Sequence, residues 1–155
     1  MLFAGQGAQR VGMGRDLVEI FPAATTAFEK ADAVLGRSLS SIIFEGPGEE
    51  LTRTANCQPA LFVHGLALLE VLQEEVPSLQ PVAAAGLSLG EMTAHTAAGT
   101  FGFEDGLRLV AKRGAFMDEA CEITPTGWSG IIPSLKAGRI DMIMNSMSIT
   151  QARQR

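Results

Sequence analysis

The chain has 155 residues, 46% hydrophobic and 19% charged, a balance that describes one soluble globular domain with a core and excludes a disordered chain. Its net charge of -5, with no basic run, excludes a nucleic-acid groove. No run approaches the roughly 18 consecutive apolar residues of a membrane span. The start MLFAGQGAQR has no basic region leading into a long apolar stretch, so the expected setting is cytoplasmic.

In chain order, Leu2-Phe3-Ala4 reads as the end of a short buried strand running into the turn Gly5-Gln6-Gly7. A helical stretch follows, with Leu17, Ile20 and Phe21 on one face, until Pro22 breaks it. Phe28, Ala31, Val34 and Leu35 resume the helical period as far as Gly36. LSSIIF (39–44) is a short apolar helix stopped by the turn Gly46-Pro47-Gly48. From Gln58, the run PALFVHGLALLEVLQEEV sets Leu61, Leu68, Leu69 and Leu72 at helical spacing, with Pro59 in a first turn, where proline is tolerated. It is apolar almost all round and predicts a buried helix. Pro77 and Pro81 bracket a loop feeding PVAAA (81–85), a small-residue buried strand. A last helix, Glu104 to Glu119, aligns Leu107, Val110, Gly114 and Met117. Helices alternating with few short strands predict an α/β fold with a parallel sheet. Cys57 and Cys121 have neither C-x-x-C spacing nor a histidine pattern beside them; they read as reduced packing residues, and no metal site is expected.

The stretch GLSLGEM (86–92) puts a serine between glycines at the spacing G-x-S-x-G, with a strand before it and a helix after it. Such a corner needs small residues, here Gly86 and Gly90, where helix and strand approach. It exposes the Ser88 hydroxyl and aims the Leu89 N–H, at the helix start, toward an oxyanion. The plainer reading is a serine in an ordinary loop. Gly5-Gln6-Gly7 could lend a second N–H. It is not a phosphate loop, because G-x-G-x-x-G would require glycine where Arg10 stands.

Taken together, FAGQGAQRVGMGRDL, NCQPALF, GLSLGEMTA and RLVAKRGAFMDEA, in this order and with these gaps, resemble the amino-terminal half of the malonyl-CoA:acyl carrier protein transacylases. The resemblance implies an α/β-hydrolase-like large subdomain with a small ferredoxin-like insert. It implies a serine that takes malonyl from coenzyme A as an ester and yields it to the phosphopantetheine thiol of acyl carrier protein. It makes Ser88 the nucleophile, the backbone amides of Gln6 and Leu89 the oxyanion hole, and Arg113 the partner of malonyl's free carboxylate. Arginine suits that role because its planar fork matches a carboxylate. Read without the resemblance, Arg113 is a surface residue beside Arg108 and Lys112. Malonyl-CoA is then a substrate, with no permanently bound cofactor. One departure is Leu87, where the family commonly has histidine.

A serine hydroxyl needs a base, and the chain has two histidines, His64 and His95. Seven mostly helical residues put His95 roughly 10 Å along the axis from Ser88. His64 lies in the apolar run and reads as a hydrogen-bonded structural histidine. The resemblance places the catalytic histidine beyond the last residue, together with the small subdomain and further strands. The expectation is an incomplete catalytic pair, a truncated sheet and an inactive or severely impaired enzyme.

The tail changes character. Residues 1–127 hold 8 of the 12 basic and 16 of the 17 acidic residues. GWSGIIPSLKAGRIDMIMNSMSITQARQR (127–155) instead resembles a segment of the periplasmic amino-acid-binding proteins of ABC transporters. This implies ligand contacts at Ser146, Ser148 and Arg153. The plainer reading is surface polar residues, since so short a segment cannot build a two-lobed cleft. The expected organisation is an incomplete acyltransferase domain over 1–127 and a foreign tail over 128–155, with DMIMN as a possible covering strand. Three functions stay open: a malonyltransferase by ancestry, an amino-acid-binding fragment or non-functional chimera, and a generic serine hydrolase.

Overall fold

The computed structural model describes residues 1–79 and 81–120. Cys121, the change of character at Trp128, the expected strand over 141–145, and Ser146, Ser148 and Arg153 lie outside the described residues.

Helices carry most of the structure. α1 (Arg15–Ile20) ends at Phe21, whose extended backbone precedes Pro22 as the first residue of α2 (Pro22–Leu35). Proline suits that position because its N–H would be unpaired there anyway. α2 stops at Gly36, in the left-handed region at φ 64°. The Asp32 carboxylate then accepts from the Ser40 amide at 3.0 Å and from both the Ser38 and Ser40 hydroxyls, holding the start of α3 (Leu39–Glu45). The expected helical face of α1 needs one correction. Leu17 packs against the core, whereas Ile20 is largely exposed, because α1 is only six residues long and turns away at Phe21.

The predicted turn at Gly46-Pro47-Gly48 is followed at once by a helix the sequence reading lacked, α4 (Gly48–Thr52), with Glu49 and Glu50 in its first turn. Carboxylates there complement the exposed amides of a helix start. α5 (Thr54–Glu75) begins four residues before Gln58, so Pro59 stands inside the helix rather than in its first turn. A proline there frees the carbonyl one turn earlier. Arg37 takes up that Ala55 carbonyl with Nη2 at 3.2 Å, while its Nη1 donates to Asn56 Oδ1 at 2.7 Å.

The core is built around α5, with Ala60, Phe62, Val63 and Ala67 fully buried. By length and composition α5 could cross a bilayer, but 67% of its apolar stretch is buried inside the protein; it is a core helix. α7 (Phe103–Ala120) packs most extensively against it, and α2 and α6 (Leu89–Ala97) also lie on it. Leu107 and Val110 of α7 are fully buried, Gly114 is buried, and Met117 is half-buried, as their spacing predicts. Gly114 lets the two backbones close up: a Cβ there would stand 2.8 Å from the Thr54 carbonyl oxygen.

β1 (Leu2–Phe3) and β2 (Ala85–Gly86) pair in parallel, Leu2 opposite Ala85 and Phe3 opposite Gly86. Only the end of PVAAA is strand, and it is not buried: Leu2 is 89% exposed and Val82 fully so. Both strands have α6 against them. The α/β class with a short parallel sheet is therefore as expected; the burial of its strands is not. Among the described residues there is no ferredoxin-like unit.

Candidate functional site

Parallel pairing of β1 and β2 brings the start of the chain beside residues 85–88. The Ala85 N–H donates to the Met1 carbonyl at 3.0 Å. Extending the register places Gly5 across from Ser88, and a Cβ on Gly5 would stand 2.8 Å from the Leu87 carbonyl oxygen. The turn containing Gln6 thus runs alongside the serine corner.

At that corner the chain passes from β2 into α6 within two residues. Ser88 has φ 55° and ψ -106° and is the only non-glycine residue with positive φ among the described residues. A side chain in this region costs about 1–3 kcal/mol and persists only where its surroundings hold it. The flanking glycines serve a different purpose from the serine's strain. A Cβ on Gly86 would lie 2.0 Å from the Gly90 carbonyl carbon, and one on Gly90 would lie 2.4 Å from the Phe3 carbonyl oxygen. Strand and helix cross so closely here that only glycine fits. Ser88 is exposed, and the Leu89 amide opens α6 beside it.

Arg113 reaches this corner from α7. Its Nη2 donates to Ser88 Oγ at 2.8 Å, and its Nη1 donates to Gln58 Oε1. It is half-buried, unlike its neighbour Arg108, which pairs with Glu104 and Asp105 on the outer face. The solvated-surface reading of Arg113 is thereby replaced. Among the described residues no carboxylate pairs with it. Gln58 is 1% exposed, and its Nε2 donates to Met117 Sδ at 3.3 Å.

A second group of contacts ties the same elements together. Gln6 Nε2 donates to Thr54 Oγ1 at 3.4 Å, and the Thr54 amide donates to Asp118 Oδ1 at 3.0 Å. Asp118 also pairs with Arg53 at 3.2 Å. Gln58, Thr54 and Asp118 were not singled out from the sequence. The signal at Gln58 was a neutral amide leading directly into a run apolar all round, since such a group stays buried only when partnered.

Among the described residues neither histidine is hydrogen-bonded to the serine. His95 lies in the last turn of α6, its ring 5.9 Å from that of Phe101. His64 is half-buried and packs by Gly14: a Cβ on Gly14 would be 3.0 Å from its Cδ2. Burial lowers its pKa, Asp16 opposing and Arg10 assisting. Cys57 is fully buried, as expected of a packing residue. Burial pushes its thiol up to about 11 against the hydrogen bond from Gly7. Among the described residues no cluster of His, Cys, Asp or Glu could hold a metal. A surface cavity at the α1–α2 break, lined by Val18, Glu19, Ile20, Pro22, Thr25 and Thr26, shares no residue with the Ser88 corner.

Comparison with known proteins gives the family of most of the chain. The model of the acyl transferase domain family matches residues 1–129. The malonyl CoA-acyl carrier protein transacylase of Bacillus subtilis is 50% identical over 119 residues, covering 77% of this chain and 37% of the relative. A solved acyl carrier protein S-malonyltransferase from Vibrio cholerae superposes with a TM-score of 0.74 at 39% identity, over 78% of this chain and 39% of that one. A malonyl-transacylase solved in complex with its type II polyketide acyl-carrier protein gives 0.76 at 36% identity, over 92% and 48%. The chain thus spans less than half the length of these relatives. A strained serine between close-packed glycines, an arginine bonded to its hydroxyl and a family match over residues 1–129 lead to one conclusion: the chain belongs to the acyl transferase domain family.

Proposed function

We propose that this chain carries the nucleophile and the carboxylate clamp of a malonyl-CoA:acyl carrier protein transacylase working in the cytoplasm. The observation that carries the reading is the Arg113 guanidinium, 2.8 Å from Ser88 Oγ and without a carboxylate partner among the described residues. An ordinary esterase has no need of a cation there; an acyl group with a free carboxylate does.

In the proposed reaction, Ser88 Oγ bonds to the thioester carbon of malonyl-CoA. Its proton passes to a base, and the negative charge on the former carbonyl oxygen rests on the Gln6 and Leu89 amides. Collapse breaks the C–S bond, coenzyme A leaves with a proton, and malonyl remains as a serine ester. The thiol of acyl carrier protein then repeats the exchange in the other direction. The base is the part this sequence does not supply, since His64 and His95 stand elsewhere. We assign it to a region of the family fold outside this sequence, so that the chain alone acylates slowly, through positioning and the oxyanion hole.

Intact-mass measurement after incubation with malonyl-CoA tests this reading. One slowly formed malonyl adduct on Ser88 is expected, absent from Ser88→Ala. In Arg113→Ala the preference for malonyl-CoA over acetyl-CoA should disappear. Equal labelling of Ser88→Ala would remove the reading. For the tail, the plainer reading of surface polar residues predicts no binding in calorimetry with a panel of amino acids, and heat lost in Arg153→Ala would overturn it.

A further inference from the structure

The contact between Arg113 and Ser88 has a second implication, which rests on the reading of Ser88 as nucleophile and Arg113 as carboxylate clamp. In the free protein, the group that would hold the substrate is already bonded to the group that would attack it. A guanidinium drawing on one of the hydroxyl's lone pairs makes that oxygen a poorer nucleophile. A carboxylate is a far stronger acceptor for the same N–H than a neutral hydroxyl.

Gln58 decides where the guanidinium rests. Its amide cannot turn over. With Oε1 on Arg113 and Nε2 on Met117 Sδ at 3.3 Å, a flip would set an NH2 against a guanidinium, donor to donor. Met117 lies one turn beyond Arg113 on α7, so both contacts come from the same helix face. The side chain is 1% exposed, and water cannot replace these bonds. Gln58 therefore fixes one arm of Arg113 and leaves the other on Ser88.

We propose that Gln58 positions Arg113 as a latch on the Ser88 hydroxyl, and that the free carboxylate of an incoming acyl group opens it by drawing the guanidinium onto itself. Selection of carboxylate-bearing thioesters then acts twice, on binding and on release of the nucleophile. Acyl groups without a carboxylate meet a serine still held.

The experiment uses the full chain with Ser88→Cys, so that the held group reports its own ionisation. Alkylation of the introduced thiol by iodoacetamide is followed against pH, with peptide mass spectrometry separating it from Cys57 and Cys121. An ordinary thiol ionises near about 8.5. With Arg113 latched, the midpoint is expected about one unit lower, and saturating malonate, a carboxylate probe without coenzyme A, returns it upward. Arg113→Gln in the same background should give the high midpoint with and without malonate. Gln58→Met, which removes the amide from Arg113 without adding charge, should also raise the midpoint. A purely structural role for Gln58 would leave the midpoint where it was.

A midpoint of the introduced thiol unmoved by Arg113→Gln overturns the latch while leaving the transacylase reading intact. A midpoint that responds to Arg113→Gln but not to malonate overturns release by a carboxylate. Failure of the transacylase reading itself shows separately, as malonyl-CoA labelling that does not depend on Ser88. Circular dichroism on each variant confirms that the compared proteins are folded.

Discussion

The helical body and the serine corner are built on opposite principles. Around α5, side chains fill space: Phe62 is fully buried and stacks obliquely on Phe103 with centroids 6.0 Å apart, and Phe28 meets Phe44 at 5.0 Å. At the corner, side chains are missing where backbones cross, and the one that is present sits at φ 55°. The first region gains stability from buried apolar area. The second spends some of it to hold an exposed hydroxyl in a conformation relaxed chains avoid. Relaxed packing in one region is what permits strain in the other.

Mutations that break this contrast should rank by region. The largest effect belongs to the body: Phe62→Ala should cost about 3–5 kcal/mol, read as a lowered midpoint in denaturant unfolding. Next comes Gly86→Ala, whose added carbon would overlap the Gly90 backbone. It should cost about 3 kcal/mol, the upper end for overpacking, and should also abolish any labelling of Ser88. A cost under about 1 kcal/mol would show that the crossing can widen.

The strain itself is isolated by comparing Ser88→Gly with Ser88→Ala. Both lose the bond to Arg113, so the difference reports φ. Glycine should be the more stable by about 1 kcal/mol, strain of ~1–3 less glycine's extra chain entropy of ~0.5–1; a glycine variant less stable than the alanine one by about 0.5–1 kcal/mol would mean the corner is unstrained.

A smaller effect comes from His64. Burial holds its folded pKa below the ordinary value of 6.5. The unfolded chain therefore binds the extra proton first, and stability should fall as pH drops below 6.5 toward the folded pKa. Above that window His64 contributes no slope. Unfolding curves between pH 7.5 and pH 5 should flatten in His64→Gln. The smallest effect is in the loop before β2: Val82→Thr should change stability by less than about 0.5 kcal/mol, because fully exposed Val82 has no burial to lose.

What the sequence made legible divides along the same line. The core stripe of α7, the break at Pro22, the glycine end of α2 and the serine between strand and helix all follow from local rules, namely helical spacing, proline and glycine geometry, and a spaced motif. Burial of the strands did not follow, because it depends on what lies across the sheet and not on the strands' own residues. The start of α5 was misplaced because Pro59 signals a first turn wherever nothing offsets the lost bond. Here Arg37, distant in sequence, offsets it. Gln58 went unnoticed for a related reason: its partners, Arg113 and Met117, stand more than fifty residues away.

The fork of Arg37 therefore reaches further than its place between α2 and α3 suggests. One guanidinium braces the backbone at Ala55 and Asn56, and the next turn of that rod begins with the amide that orients Arg113. A lysine at position 37 could grasp one of the two oxygens but not both. Play admitted at that joint would travel along α5 to Gln58. Under the proposed latch, a surface loop away from Ser88 would thus bear on how that serine is held.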